Sequence, residues 1–514
     1  MGICVFTAWA ASAAQPSRGT AQHVVVVVWD GMRPDFIAPQ YCPTLYSLAT
    51  NGVFFRNHHP SFISTTEVNG AALATGMYPG QNGILANLDY HPELSILGSV
   101  ATESVDSIRR GDFLSGGKYI RTPTIPEILH QAGIATIIAG SKPVALFHDR
   151  SIRRNTAAEK NSVTLHDGKT LPRAAGEGLA KVNDDKAFPT NITQPNLGQD
   201  NWTTRSLVRS LWSKGIPKYT LLWLSDPDKS QHETGVGSST ALAGIEASDN
   251  NLAEVIKTLK DKGVWEKTDL MVVSDHGFST ISKAAAVSEN LRRHRFKAHS
   301  KLEDADPGNI VIVGLGGSAM FYVVDREESV VRKLVEFLQG SDFVGVVFSR
   351  LKIDGTFPLD TIKYPTGEDA PDVLVSLRWS PALNTNGAPG LVTSVGGTIG
   401  KGTHGSLSRY DMNNTLVASG PDFKRGLVNH TPSGNIDVGP TVLWLLGVKP
   451  PGPISGRVLH EAFASTKTPA PKVIQRRVEA TRDLGLGQWK QYLQTSEVDG
   501  TTYFDEGNGE LGPR

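Results

Sequence analysis

Three apolar segments of this sequence each end in residues that could bind a metal ion. The segments, with the residues that follow them, are Val24–Trp29 with Asp30, Tyr219–Leu224 with Asp228, and Leu270–Val273 with Asp275 and His276. Unbroken apolar runs rich in β-branched residues predict strands that are buried on both faces. Carboxylates and imidazoles at the ends of buried strands need a partner, because an unpaired buried charge is costly. A metal ion would be such a partner.

Two further histidines have spacing or surroundings that suit a metal ligand. His232 follows Asp228 by four residues, which on a helical turn puts both side chains on one face. His404 lies in the segment Gly402-Thr403-His404-Gly405-Ser406, where glycines let the backbone approach an ion closely. Taken alone, the first pair is also typical of a helix surface, and the second segment is also typical of a plain turn. The only cysteines are Cys4 and Cys42, which excludes a cysteine-based zinc site.

Thr66 is the candidate nucleophile. It precedes a segment of small residues, Val68–Ala74, that predicts a closely packed helix. Ser64 and Glu67 have the spacing of a capping box, so these hydroxyls could serve only to begin that helix. A helix N-terminus also favours phosphate, however, through its free N–H groups and its dipole. A threonine hydroxyl needs activation, and in the absence of a nearby histidine–aspartate relay, coordination to a metal is the natural activator.

The elements around these residues predict an α/β fold with a largely parallel central sheet and helices on both faces. The predicted helices are Pro43–Asn51, Thr124–Ala132, Trp202–Trp212 and Thr240–Lys262, and they alternate with strands. In such a sheet the site lies at the carboxyl ends of the strands. We expect a catalytic domain over residues 21–465, with a loop or lid insertion near 150–201 and an inserted subdomain near 285–400. A C-terminal extension over residues 466–514 is predicted to contain a helix, Val473–Leu484.

Composition describes an ordinary globular protein. The chain has 514 residues, 39% of them hydrophobic, and a formal charge of zero. The length allows a large core, and the charge gives no global attraction to nucleic acid, although a local basic pocket is allowed. Residues 1–14 resemble a truncated secretory signal peptide, which predicts a secreted or periplasmic protein. Because no later segment has about 18 unbroken apolar residues, no membrane span is expected, and the oligomeric state is left open.

The motifs in their order resemble the alkaline phosphatase superfamily, and within it the nucleotide pyrophosphatase/phosphodiesterase branch most closely. The matching segments extend over most of the chain, from about residue 23 to residue 450. They are Asp30, Thr66, Thr75-Gly76-Met77-Tyr78-Pro79, Asn82-Gly83-Ile84-Leu85-Ala86-Asn87, Pro227-Asp228-x-x-x-His232, Ser274-Asp275-His276-Gly277 and Gly402-x-His404-Gly405.

The resemblance implies hydrolysis of phosphodiester or pyrophosphate bonds in nucleotide-type substrates, at two zinc ions about 4 Å apart. One zinc would be bound by Asp228, His232 and His404. The other would be bound by Asp30, Thr66, Asp275 and His276. The resemblance further implies that Thr66 becomes transiently phosphorylated and that Asn87 helps to hold a phosphoryl oxygen.

The chain departs from the family pattern at two places. Glu67 and Val68 follow the nucleophile, where the branch has an aromatic residue and a proline, so the usual nucleoside-stacking wall is in doubt. Lys142 matches the lysine of a Lys-x-Arg element found in a monoesterase branch, but Val144 replaces the arginine. Lys142 is a candidate for binding the substrate phosphate, although a lysine at such a position is more often a solvated surface residue. A phosphate monoesterase or phosphonate hydrolase is therefore an alternative. An alternative of another class is a catalytically inactive phosphate-ligand-binding protein on this fold.

Overall fold

The computed structural model describes residues 19–154, 156, 158–467, 469–485 and 487–513, so the predicted signal peptide at 1–14 lies outside the described residues. A nine-stranded sheet forms the centre of the fold. In spatial order its strands are Leu427–Asn429, Val53–Phe55, Leu416–Ser419, Thr268–Val273, His23–Trp29, Tyr219–Leu224, Thr136–Gly140, Val163–His166 and Lys169–Leu171.

The middle of this sheet is parallel, as predicted. The five strands from Thr268–Val273 to Val163–His166 all run in one direction, while antiparallel pairings occur towards the edges. The unbroken apolar sequence of strand His23–Trp29 is explained by burial on both faces of the sheet. Val24, Val26 and Val28 pack into the core on one face, and the alternate residues pack into the core on the other. The α/β fold with a largely parallel central sheet is confirmed.

Helices cover both faces of the sheet. In chain order the α-helices are α1 Pro43–Asn51, α2 Thr66–Thr75, α3 Pro79–Asn82, α4 Val105–Ser115, α5 Ile125–Gln131, α6 Leu197–Arg205, α7 Asp228–Thr234, α8 Ser239–Asp261, α9 Val287–Arg293, α10 Glu328–Gln339 and α11 Asn435–Leu445. Helices α2, α5 and α11 contribute apolar side chains to one core face, and α1, α6 and α8 to the other. A π-helical segment, Ser206–Leu211, continues α6.

The region predicted as an inserted subdomain forms a second α/β layer with its own cores. Its six-stranded sheet consists of Ala298–His299, Ile310–Leu315, Ser318–Val323, Val373–Leu377, Val344–Ser349 and Phe357–Pro358, with α10 packed against it. A further sheet has four strands, Trp379–Leu383, Pro389–Val395, Ser279–Ala285 and Gly402–Thr403. These strands come from the two stretches of chain that connect the central sheet with the six-stranded sheet, and His404 directly follows the last of them. Two small pairs, His58–His59 with Ser433–Gly434 and Leu88–Asp89 with Val100–Ala101, lie outside these sheets.

The prediction of a helix at Val473–Leu484 in the C-terminal extension is wrong. Residues Val473–Asp483 form a strand that pairs along its whole length with Gln488–Val498, and Thr501–Gly512 adds a third antiparallel strand. The apolar spacing of this segment fits a helix or a strand, and the non-local pairing decides between them. Buried Leu493 and Phe504 join the core of the six-stranded sheet. The extension is therefore packed against the inserted layer.

The segment 150–201 is also only partly as expected. Instead of loops alone, it contributes the strands Val163–His166 and Lys169–Leu171, which extend the edge of the central sheet. The first of these pairs in parallel with Thr136–Gly140, so this part of the segment belongs to the sheet and not to a lid. Among the described helices, none is long and apolar enough to cross a bilayer.

Candidate metal centre

Strand register brings two of the predicted acids side by side. Val28 pairs with Val273 in parallel, and two residues beyond each of them the chain reaches Asp30 and Asp275. Asp228, the first residue of α7 and four residues beyond the neighbouring strand Tyr219–Leu224, joins them, because its backbone N–H donates to the carbonyl oxygen of Asp30 at 2.9 Å. Thus three buried carboxylates from separate segments of the chain meet at one edge of the sheet.

The carboxylates and histidines form two overlapping groups. Within each group the possible ligand atoms lie within 4.8 Å of one another; the groups are Asp228 with His276 and His404, and Asp30 with Asp275 and His276. His232 lies beside the first group, with its Nε2 3.2 Å from Asp228 Oδ1. The rings of His276 and His404 stack with their centroids 3.7 Å apart. All six predicted side chains therefore converge.

Each histidine presents the same ring nitrogen to the centre. The Nδ1 atoms of His232, His276 and His404 lie 3.1, 2.9 and 2.9 Å from the backbone carbonyl oxygens of Gly402, Gly277 and Ser64, respectively. A carbonyl oxygen can only accept a hydrogen bond, so Nδ1 carries the proton. Each ring therefore turns its Nε2 atom towards the centre, and in the neutral form the Nε2 lone pair can bind a cation, which is the usual arrangement around ligand histidines. Burial, and then the neighbouring His276 ring, hold the pKa of His404 well below its usual range, which keeps it neutral.

The three carboxylates are also arranged as ligands of a cation would be. Asp30 Oδ1, Asp228 Oδ1 and Asp275 Oδ2 are buried and have no hydrogen-bond partner. Burial, followed by repulsion from Asp30, raises the pKa of Asp275 well above its usual range. Burial opposes the charged form of Asp228 as well, but His232 and Lys142 hold the pKa of that carboxyl well below its usual range. Unsatisfied oxygens of this kind need a cation, and this donor set of oxygens and imidazole nitrogens suits zinc.

Gly277 explains how the Asp275–His276 segment fits into this edge. A Cβ atom added to Gly277 would lie 2.0 Å from the carbonyl oxygen of Tyr410, so any larger residue would push the two backbones apart. The N–H of Gly277 donates to Asp411 O at 2.9 Å. The glycine therefore permits the close approach that keeps His276 in position.

Thr66 is the first residue of α2 and points into the centre. Its Oγ1 lies 3.3 Å from His276 Nε2, and the residue is buried. The capping-box explanation for this segment is wrong: Thr65, not Ser64, precedes the helix, and no side chain caps it. Ser64 instead donates to the carbonyl oxygen of Ser406 at 3.0 Å. Within the first turn of α2 the N–H of Glu67 donates to Asn87 Oδ1, and the N–H of Thr66 remains available for an anion.

Asn87 is anchored beside the nucleophile. Its Oδ1 accepts a hydrogen bond of 3.1 Å from the backbone N–H of Glu67. Because the amide oxygen is used in this way, the Nδ2 group is the part of Asn87 that can donate to a ligand. The backbone of Asn87 is held in turn by the N–H of Thr102 at 2.9 Å.

Lys142 also reaches the centre from the end of the strand Thr136–Gly140. Its Nζ donates to Asp30 Oδ2 at 2.7 Å, lies 3.5 Å from Thr66 Oγ1 and 3.8 Å from Asp228 Oδ2. Burial opposes its charge, but Asp30 and Asp228 raise the pKa of Lys142 well above its usual range. The ammonium thus contacts one oxygen of each aspartate and leaves the other oxygen of each free.

Three residues at the centre were not predicted from the sequence. The indole N–H of Trp223 donates to Asp30 Oδ2 at 3.0 Å, and nothing in an apolar strand signals that role. Glu67 and Glu103 each have a buried, unpartnered Oε2 atom. Burial, and then repulsion from Glu103, raise the pKa of Glu67 well above its usual range. Glu67, which replaces the family's aromatic residue after Thr66, could have indicated a further acid at the centre, but its capping-box spacing with Ser64 suggested another role.

Comparison with known proteins identifies the relatives of this chain. A family model described as type I phosphodiesterase/nucleotide pyrophosphatase matches residues 24–406. Bovine bis(5'-adenosyl)-triphosphatase ENPP4 is 22% identical over 438 residues, covering 84% of this chain and 80% of that protein. Human ectonucleotide pyrophosphatase/phosphodiesterase family member 5 is 24% identical over 286 residues, covering 56% of this chain and 50% of that protein.

Solved structures show the same fold. Murine ectonucleotide pyrophosphatase/phosphodiesterase 5, in an inactive form in complex with AMP, superposes with a TM-score of 0.61 at 18% identity, covering 86% of this chain and all of that one. The fold, the converging carboxylates and histidines, and the family match over most of the chain agree with one another. The chain belongs to the type I phosphodiesterase/nucleotide pyrophosphatase family of hydrolases.

Proposed function

We propose that this protein hydrolyses phosphodiester or pyrophosphate bonds at a two-zinc site, through a phospho-threonine intermediate on Thr66. The observation that carries the proposal is the set of unpartnered carboxylate oxygens facing three histidine Nε2 atoms, with one hydroxyl beside them. Asp228, His232 and His404 would hold one cation. Asp30, Thr66, Asp275 and His276 would hold the other.

The mechanism follows from what these residues can do. When bound, the two cations would lower the pKa of the Thr66 hydroxyl and neutralise charge on the transferring group. The Thr66 hydroxyl loses its proton and its oxygen bonds to phosphorus, while the bond from phosphorus to the ester oxygen breaks and that oxygen leaves, with a proton, as an alcohol or a phosphate. Water then attacks phosphorus and breaks the bond to Thr66, which releases the phosphoryl product and restores the hydroxyl. The backbone N–H of Thr66 and the Nδ2 of Asn87 donate to the non-bridging oxygens, where negative charge accumulates.

A substitution at Thr66 tests the nucleophile. We expect Thr66→Ala to retain most of its bound zinc, because six other ligands remain, while kcat for a bis-aryl phosphodiester falls by about 10³-fold or more. Thr66→Ser is the matched control, since it keeps the hydroxyl, and should retain measurable turnover. Zinc content is measured by atomic emission on the same samples. Unchanged turnover of Thr66→Ala would overturn the assignment of the nucleophile.

Lys142 favours a second candidate, a phosphate monoesterase. An ammonium 3.5 Å from Thr66 Oγ1 is positioned to contact an additional anionic oxygen, which a monoester has and a diester lacks. The ratio of kcat/KM for bis-p-nitrophenyl phosphate to that for p-nitrophenyl phosphate separates the two. We expect the diester to be preferred, and a monoester preference of several decades would reassign the subclass.

The natural substrate is proposed from the relatives alone. The AMP bound to the murine relative and the bis(5'-adenosyl)-triphosphatase name of the bovine relative support nucleotide-type substrates for this chain. Glu67 in place of an aromatic residue makes a purely stacking contact to a base unavailable at that position. The ectoenzyme relatives and the apolar segment in residues 1–14 support a secreted or periplasmic location.

A further inference from the structure

Two glutamates beside Thr66 have side-chain oxygens that the proposed reaction does not use. Glu67 directly follows Thr66 and is only 4% exposed, and Glu103 lies two residues before α4. The Oε2 atom of each glutamate is buried and has no hydrogen-bond partner. A buried carboxyl oxygen is costly until another group pairs with it, so a substrate group could supply the missing partner. We call Glu67 and Glu103 the glutamate pair.

Both members of the glutamate pair are tied to Asn87. The backbone N–H of Glu67 donates to Asn87 Oδ1 at 3.1 Å. Thr102, which precedes Glu103, donates its backbone N–H to the carbonyl oxygen of Asn87 at 2.9 Å. The pair therefore flanks the residue that would hold a phosphoryl oxygen in the proposed reaction.

Lys142 is close to the glutamate pair but forms its ion pairs elsewhere. These ion pairs are with two aspartates of the candidate metal centre, at 2.7 and 3.8 Å. Burial raises the pKa of Glu67 and of Glu103, and attraction to the Lys142 ammonium opposes that rise in both. Because Lys142 Nζ lies 3.5 Å from Thr66 Oγ1, the three side chains lie together beside the attacking hydroxyl.

This position assigns the glutamate pair to one substituent of the substrate phosphorus. In an in-line displacement the leaving oxygen lies opposite Thr66. Of the two non-bridging oxygens, one accepts from Asn87 and the other faces the metal ligands. The substituent that is left is the ester oxygen with the organic group that a diester retains, and it faces Lys142 and the pair.

Charge and hydrogen bonding decide which retained group suits the glutamate pair. A cationic group would meet the Lys142 ammonium, which already supplies positive charge at this place. An anionic group would meet the carboxyl groups, and an apolar group would leave both Oε2 atoms buried without a partner. A hydroxyl group suits the pair in either charge state, because it donates to a carboxylate and accepts from a protonated carboxyl group.

We propose that Glu67 and Glu103 select diesters whose retained group carries a hydroxyl close to the phosphate, as in a sugar or polyol ester. The hydroxyl pairs with the Oε2 atoms that the folded chain leaves without a partner. Since this selection takes place at the same site, it rests on the proposed function and names the class of diester that the site takes.

Two matched pairs of p-nitrophenyl diesters test this selection. In each pair the retained alkyl group ends either in a hydroxyl or in an isosteric methyl group: 3-hydroxypropyl against n-butyl, and 4-hydroxybutyl against n-pentyl. The leaving group is always p-nitrophenol, so the ratio of kcat/KM within a pair reports the hydroxyl. We expect the zinc-loaded wild type to prefer the hydroxyl ester by about tenfold or more in at least one pair, because the methyl ester leaves buried carboxyl groups unpaired.

Substitutions in the glutamate pair should change this ratio. Glu67→Leu and Glu103→Leu should each remove most of the hydroxyl preference, whereas Glu67→Gln keeps a donor and an acceptor and should retain part of it. Glu506→Leu is the matched control, because Glu506 is another buried glutamate, 8% exposed, that bonds to Tyr492 within the C-terminal sheet. Its ratio should equal that of the wild type. Circular dichroism melting shows whether each variant is folded.

Substrate affinity provides a readout that does not depend on turnover. Thr66→Ala lacks the attacking hydroxyl, so titration calorimetry on this zinc-loaded variant gives the ratio of Kd values within each pair of esters. We expect tighter binding of the hydroxyl ester, and loss of that difference when Glu67→Leu is added. Equal kcat/KM and equal Kd within both pairs, in proteins that keep the glutamate pair, would overturn the selection and leave the proposed function intact. No turnover of any of these esters by the folded, zinc-loaded wild type would contradict the proposed function instead.

Discussion

At the scale of single residues, the centre depends on which atom of each side chain is left free. Asp30 uses Oδ2 for Lys142 and Trp223, and its Oδ1 is the unpartnered oxygen. The three histidines use Nδ1 for backbone carbonyls and present Nε2. The proposed ligand set is therefore already oriented in the metal-free fold, which would reduce the ordering needed if a cation binds.

Lys142 gives a prediction at this scale. We expect Lys142→Met to lower kcat/KM for a bis-aryl phosphodiester by about 10–10², because an ammonium beside the reacting group is removed. Lys142→Arg keeps the charge but has a planar fork that does not fit one oxygen of each aspartate, so it should restore activity only in part. Steady-state kinetics on zinc-loaded samples measure both variants. Wild-type kcat/KM in Lys142→Met would show that this lysine has no role in the reaction.

Asp275 gives a second prediction, about metal removal. Chelation should lower the midpoint of thermal unfolding, because cations that bind only the folded state stabilise it by about 4 kcal/mol at 1,000 times Kd. Added zinc should restore the midpoint. In Asp275→Asn the metal-free protein should be more stable than the metal-free wild type, since repulsion with Asp30 is relieved, while the response to zinc shrinks. A midpoint that chelation does not change would contradict a bound cation.

At the scale of elements, α2 is positioned by close packing on both sides. Every residue of this helix is buried, and Gly70 faces the short 3-10 segment Pro143–Phe147 that follows Lys142. A Cβ atom at Gly70 would lie 2.4 Å from Val144 Cγ2. The separation of these two elements therefore sets the distance between Thr66 and Lys142.

Gly70→Ala tests this packing. Alanine improves helix propensity by about 1 kcal/mol, but forcing an extra methyl group into a packed core costs about 1–3 kcal/mol. We expect a net loss of stability by urea unfolding and a lower kcat, because α2 and the Lys142 segment are pushed apart. Gly340→Ala is the matched control, because a Cβ atom added at Gly340 would come no closer than 3.6 Å to any neighbouring atom. Gly116→Ala would not serve, because Gly116 has a positive φ that strains an alanine. Greater stability of Gly70→Ala would show that the two elements can move apart freely.

The start of strand Thr268–Val273 predicts a pH dependence. Asp269 is buried against Asp422, and burial, followed by that neighbour, raises the pKa of Asp269 to about 9. The folded state therefore keeps a proton that the unfolded chain loses above about pH 4. Stability should fall as the pH rises from about 4 to about 9 and then level off.

Asp269→Asn mimics the protonated carboxyl and should remove this dependence. We expect the variant to be more stable than the wild type by at least about 1 kcal/mol at pH 8, with little difference near pH 4. Urea unfolding at both pH values measures it, and Asp261→Asn on the exposed end of α8 serves as control. A constant difference at both pH values would contradict a raised pKa.

At the scale of the whole molecule, the candidate metal centre lies where the central sheet meets the inserted layer. Asp30, Asp228 and Asp275 come from the central sheet, whereas His404 follows the four-stranded sheet and is linked back to Ser64 by its Nδ1. The C-terminal sheet closes the assembly from the other side: Tyr503 donates to Asp437 at the start of α11, and Gln491 bonds both backbone groups of Val347. Hydrogen bonds thus connect the proposed ligand residues, the central sheet, the inserted layer and the C-terminal sheet.

The order of motifs along the chain was sufficient to predict the central sheet, its direction and the set of residues at its edge. Unbroken valine runs are a local signal of a strand buried on both faces, and the residue after such a strand must lie at its carboxyl end. That inference needs no knowledge of distant contacts. The family resemblance rested on the same local segments and is confirmed by the family match.

Tertiary structure decided what local patterns leave open. Val473–Asp483 is a strand only because Gln488–Val498 pairs with it, and Ser64 does not cap α2 because Ser406 takes its hydroxyl. Lys142 carried no local signal of burial, yet it is drawn in by two aspartates from other strands. Pairing, burial and charge compensation are properties of residues brought together from far apart in the chain, and so only the folded molecule determines them.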